Sequence, residues 1–153
     1  MAFQLNQPFA SALKGQIVNG SNTNRVSCII DPASVATFYG ATKVKISGSS
    51  NGQTYVEKAA ATDRGFGFIT YSPIKNVFVA GDKVEVALVT NVMNMEAGAA
   101  IAAGDAVEQV ATGDKVITAA GINKICGYAV TAAGSNGDIL QVQIEPINSA
   151  TIY

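Results

Sequence analysis

The stretch Thr42-Lys-Val-Lys-Ile46, Ser47-Gly-Ser-Ser-Asn-Gly52, Gln53-Thr-Tyr-Val-Glu57 decides the fold class. Its first five residues alternate polar and apolar at period two, the mark of a strand with one wet face. That reading puts Lys43 and Lys45 on the solvent side. The next six residues form a turn, and Asn51-Gly52 favours the positive-φ positions of a hairpin. The last five are the returning strand. The same signals recur outward from this hairpin. Val26–Ile30 is a short apolar strand stopped by Asp31-Pro32. Phe66–Tyr71 is a strand whose glycines point to a bulge or a close backbone approach. Lys83–Val89 alternates, with Val84, Val86 and Leu88 on one face, and Val92–Glu96 follows. Further strands are expected at Ala106–Val110, Lys115–Ile117, Ile125–Val130 and Ile139–Ile144, with a turn at Gly134–Gly137 and Pro146 ending the last ladder. Strands this short and numerous imply an all-β fold, a compact small barrel or sandwich.

Residues 1–24 read differently. They are rich in Asn, Gln and Ser, with apolar anchors at Phe3, Leu5, Phe9 and Leu13. No helical stripe survives Pro8, and Asn19-Gly-Ser-Asn22 is a coil signal. The segment is either a frayed terminus or an extended arm that orders against a partner, with the Phe residues as plugs. The Ala97–Gly104 stretch is too interrupted by glycine for a stable helix. It divides the rest into two β sub-lobes, 25–96 and 97–153, each too small for a generous core and so expected to share one. Deleting residues 1–24 should then leave the β body folded and weaken association.

One repeat is visible. Ala80-Gly-Asp-Lys-Val-Glu85 and Ala103-Gly-Asp-Ala-Val-Glu108 share A-G-D-x-V-E, and Gly113-Asp-Lys-Val116 echoes its centre. Glycine takes the dihedrals of a turn, and the Asp carboxylate accepts backbone N–H bonds there. Gly81, Asp82, Gly104, Asp105, Gly113 and Asp114 are therefore expected to be structural turn residues. Their spacing is too irregular for a solenoid.

The 153 residues are 48% hydrophobic and only 14% charged, against a typical charged share of about 25%. Part of the exposed surface is thus expected to be apolar. No apolar run approaches the ~20 residues of a spanning helix, and Met1-Ala-Phe-Gln-Leu5 lacks the basic start of a signal peptide. The net charge of −1 argues against non-specific nucleic-acid binding. It hides an asymmetry: residues 1–79 hold seven Lys and Arg against three Asp and Glu, and residues 80–153 hold three against eight. The two halves either attract between subunits or are ordinary solvated surface.

The catalytic inventory is nearly empty. There is no histidine, so Ser–His and Cys–His nucleophiles and the usual zinc sites are excluded. No P-loop occurs. A carboxylate pair such as Glu85 with Glu108 is explained by the repeat, and Asp82, Asp105 and Asp114 lack the spacing of a calcium loop. No catalytic residue, metal or cofactor is expected. Cys28 and Cys126 read as buried free thiols, able to pair only if the fold brings them together. Lys43, Lys45, Tyr55 and Lys58 could make a nucleic-acid stacking platform, but a solvated face explains them as well.

Three segments resemble tailed-phage capsid decoration (cement) proteins: Arg64-Gly-Phe-Gly-Phe-Ile-Thr-Tyr71, Phe78–Ala87 and Val92–Val107. The closing Ile125–Val142 pattern is similar to the same group. The resemblance covers about residues 64–142. It implies a small all-β protein on the outer surface of a phage head, made in the host cytoplasm. It would bridge neighbouring major capsid subunits, most often as a homotrimer, and stabilise the head against the pressure of packaged DNA. The implied partners are the major capsid protein and further copies of the chain, with neither nucleic acid nor membrane. The rivals are a head fibre or host-surface adhesion module and a small-barrel binding module. An enzyme is not expected.

Overall fold

The computed structural model describes residues 13–18, 24–89, 91–110, 113–120 and 125–147, and of residues 146 and 147 the backbone only. The described residues form twelve strands and no helix: β1 (Arg25–Ile30), β2 (Phe38–Tyr39), β3 (Lys43–Ser50), β4 (Gln53–Lys58), β5 (Gly67–Ile69), β6 (Val77–Phe78), β7 (Lys83–Ala87), β8 (Val92–Glu96), β9 (Ala106–Gln109), β10 (Val116–Thr118), β11 (Ile125–Ala129) and β12 (Ile139–Ile147). The chain is an all-β small barrel with additional sheets.

Strands β1-β4-β3-β5-β7 close into the barrel. The β3–β4 hairpin turns at Asn51 (φ 53°) and Gly52 (φ 76°), with Ser50 opposite Gln53. Two successive positive φ values define the tight turn whose twist suits two paired strands. β1 runs antiparallel to β7 and parallel to β4. A second, antiparallel sheet has the order β10-β9-β11-β12-β8, and β2 and β6 form a separate two-stranded ribbon.

The buried side chains form two clusters. One fills the barrel: Cys28, Ile30, Val44, Val56, Ile69, Val84 and Val86, with Phe38 and Phe78 brought in by the ribbon. Cys28 and Ile30, like Val84 and Val86, are i, i+2 pairs pointing inward, as strand alternation requires. The other cluster lies under the second sheet, with Met93, Met95, Val107, Val116, Cys126, Leu140, Val142 and Ile144. It also takes Ala41, Phe68 and Ala87 from the barrel's side. Ile69 points into the barrel, and its neighbour Phe68 points out of it into the second cluster. Both halves of the chain therefore build this second cluster, and Phe68 joins them.

That packing corrects the reading of Lys43. Lys43 is only 1% exposed. It stands opposite Phe68 in the β3–β5 register, so it shares Phe68's outward side. There the barrel's outer face is covered by the second sheet and is not wet. The Lys43 ammonium donates to the Asp63 carbonyl at 2.7 Å, and burial lowers its pKa. Only Lys45, beyond the covered zone, meets solvent, paired with Glu57 and Asp63.

Three other details differ from expectation. Two strands, β2 and β6, lie outside the segments expected from the sequence to be strands. β12 continues through Pro146 to Ile147, where Ile147 pairs with Ile125 beside a register shift in β11; an irregular ladder position tolerates a residue without an N–H. The Ala97–Gly104 link is built into the second cluster, with Ala97 and Ile101 buried and Ile101 exchanging backbone bonds with Ala133.

Within the expected arm, residues 13–18 lie against the body. Ile17 bridges Met93, the Val18 N–H donates to the Val92 carbonyl, and the Asn94 N–H donates to the Gln16 carbonyl. They extend the second sheet past β8. Gly15 donates to Asn94 and accepts from the Tyr71 N–H, which ties the sheet to the barrel side. A Cβ on Gly15 would sit 2.6 Å from the Gly40 Cα, so only glycine fits this crossing.

Candidate interaction surface

The ribbon carries the most distinctive surface of the described residues. Phe38 faces Phe78 across it and both are buried; Tyr39 faces Val77 and both are exposed. One side of the ribbon thus plugs the barrel, and the other is apolar and wet. The segments leading into the two strands add Val35 and Ile74, at 102% and 94% exposure, and Val79 continues the outward row two residues past Val77. Among the described residues, five of the eight exposed large hydrophobics therefore belong to residues 35–39 and 74–79. Covering one such aliphatic side chain is worth about 1.5–3 kcal/mol before the cost of association is subtracted. Contiguous exposed apolar side chains mark contact sites.

Beside the ribbon lies a cavity of about 200 Å³ lined by Leu13, Tyr39, Tyr71, Asn76 and Phe78, among others. Leu13 thus stands at this surface, where the chain enters the described body. Phe3, Leu5 and Phe9 lie outside the described residues.

The loops that position these elements use one repeated device. In Val79–Asp82, the Val79 N–H donates to the Asp82 carboxylate at 2.8 Å and the Asp82 N–H returns to the Val79 carbonyl at 3.0 Å. Ala102–Asp105 closes the same way, with both bonds at 3.2 Å. Gly81 and Gly104, just before each Asp, have φ of 83° and 91°. Ser135–Asp138 and Ala60–Asp63 repeat the reciprocal bonds outside the A-G-D motif. Gly113 (φ 80°) belongs to a different turn, its N–H donating to the Val110 carbonyl just before Asp114. Lys75 reaches Asp82 at 2.6 Å, and this ammonium, with the Val79 N–H, holds the Asp82 carboxyl below its ordinary pKa. The turn before β7 is thereby pinned to the loop that carries Ile74.

Glu85 and Glu108 are not brought into one site. Glu85, in the barrel, accepts from the Ser27 hydroxyl, and Glu108, buried in the second sheet, accepts from the Ala120 N–H. Cys28 and Cys126 are both free and buried, one in each cluster. Among the described residues no helix is long and apolar enough to cross a membrane.

Fold and surface together define a small all-β barrel protein with an exposed apolar face. A family model described as phage cement protein matches residues 49–144, and the chain belongs to that family. It is a structural family of the virion, bound to the outer surface of the capsid. Among solved structures, the chain is similar to the N base of the head fibre protein gp8.5 of bacteriophage phi29. That match has a TM-score of 0.55 and 17% identity, and covers 79% of this chain and 94% of that one. At this identity the likeness is one of fold. No curated protein matches the chain.

Proposed function

We propose that the chain bridges neighbouring major capsid subunits and stabilises the head against the pressure of packaged DNA, acting as a homotrimer. The observation that supports this best is the outward face of the β2–β6 ribbon. Tyr39 and Val77 sit there on a ribbon anchored in the barrel core by Phe38 and Phe78, flanked by Val35, Ile74 and Val79. A cement protein needs such a face, because it works by burying surface on an assembled shell. The Leu13 cavity adjoins this face, which suits a role for Phe3, Leu5 and Phe9 in extending the same contact along the capsid or an adjacent copy.

The test uses purified heads stripped of this protein and re-incubated with it. The wild type is expected to bind and to raise the temperature at which heads release DNA. Val77→Asp places a charge in the apolar face and is expected to abolish binding while leaving the melting temperature of the free protein unchanged. Absence of wild-type binding would overturn the reading. The fold likeness to a head fibre base favours a second reading, a base that presents a host-adhesion module. In that case heads would be decorated without gaining heat resistance, and the protein would retain cells or glycans that a cement protein ignores.

A further inference from the structure

A second exposed apolar site lies at the other end of β5, and its cause is a mismatch of strand lengths. β3 runs Lys43–Ser50 but pairs with β5 only through Lys43 and Val44. From Lys45 onward, the side of β3 that faces away from β4 has no strand beside it among the described residues. On the far side of β5, β7 pairs through Ala87 and Val86, and the chain continues to Val89. Neighbouring strands lie about 4.8 Å apart, so β3 and β7 flank β5 at roughly 10 Å. Where β5 stops, a slot one strand wide opens.

That slot is a groove of about 470 Å³ lined by Lys45, Ile46, Asp63, Arg64, Phe66 and Val89, among others. Ile46 stands opposite Val56, which is fully buried, so it faces the barrel interior. Beyond the end of β5 it remains 52% exposed. Val89 is 41% exposed. The charges are unequal in their commitments. Lys45 is already held by Glu57 and Asp63. Arg64 is exposed and has no hydrogen-bond or ion-pair partner among the described residues. The groove therefore offers an open strand edge, apolar walls and one uncommitted guanidinium, the planar donor that suits a carboxylate.

We propose that this slot receives an extended segment of the capsid protein, with an apolar side chain between Ile46 and Val89 and a carboxylate on Arg64. Backbone bonds to β3 would hold such a segment as an added strand. The inference rests on the capsid-binding reading above and supplies its second contact. Phe66 precedes β5 and Tyr71 follows it, so slot and ribbon are separated by about 16 Å of extended chain. One copy then holds two distinct surfaces, as bridging requires.

The test compares full-length wild type, Arg64→Glu and Ile46→Lys in co-sedimentation with stripped heads at 50 and 500 mM NaCl. Both altered side chains are exposed, and circular dichroism melts check that each variant is folded. Wild type should bind more tightly at low salt. Arg64→Glu should raise the half-saturating concentration at least tenfold at 50 mM and lose that salt dependence; Ile46→Lys should weaken binding at both salts. Both variants binding like wild type, with Val77→Asp still abolishing binding, would overturn the slot and leave the proposed function standing. A loss in Ile46→Lys without one in Arg64→Glu would overturn it too, because the carboxylate partner would be wrong. A defect confined to self-association without heads would assign the slot to a second copy and overturn it likewise. Wild type failing to bind heads would overturn both readings.

Discussion

Cys28 and Cys126 lie in separate clusters, one inside the barrel and one beneath the second sheet. Burial pushes the Cys126 thiol up to about 11, and it raises Cys28 as well, with Glu85 adding to the effect. The thiolate is the reactive form, so neither residue should react while the protein is folded. A disulfide reagent at pH 8 is expected to label no thiol in the native chain and two in concentrated guanidinium. Rapid labelling of the native chain would contradict the two-cluster packing. At this scale legibility depends on sequence distance. The Asn51-Gly52 turn can be read from two adjacent residues, because its dihedrals are a local matter. Lys43 cannot be read so, because what buries it is a sheet contributed mostly by residues far downstream. A polar-apolar alternation tells which residues share a side, not which side is wet.

The ribbon shows the same principle among elements. β2 and β6 contribute two residues each, one inward and one outward, and two residues carry no period. The seven strands of five or more residues offered enough alternation or apolar length to be seen. The surface that best supports the proposed function was therefore the least visible part of the sequence, although the low charge content had implied that such a surface exists. The entry segment sharpens where an arm begins. Residues 15–18 satisfy the open edge of β8, and Gly15 links that edge to Tyr71. Removing residues 1–12 is expected to leave the melting temperature unchanged and to weaken head binding. Removing residues 1–18 exposes the β8 edge, so it should lower the melting temperature and promote aggregation. Equal melting temperatures for the two truncations would contradict the strand-like role of 15–18.

Across the whole molecule, Phe68 joins the barrel to the second sheet. It is buried in the cluster under the second sheet, while the adjacent Ile69 belongs to the barrel interior. Phe68→Ala is expected to cost about 3–5 kcal/mol, a large share of the stability of a domain this size. Calorimetry should then show either one earlier transition or a split into two, whereas an unchanged transition would mean that barrel and sheet do not depend on this contact. Barrel and sheet fixed in this way would hold ribbon and slot at a constant separation, the property a bridging protein needs under pressure from within the shell. The most direct measurement is a cryo-electron microscopy map of stripped heads re-decorated with the full-length chain. The expected result is density on the outer capsid surface with the Tyr39–Val77 face of the ribbon against a major capsid subunit. Density that leaves this face in solvent, or heads that stay bare, would contradict capsid binding through the ribbon.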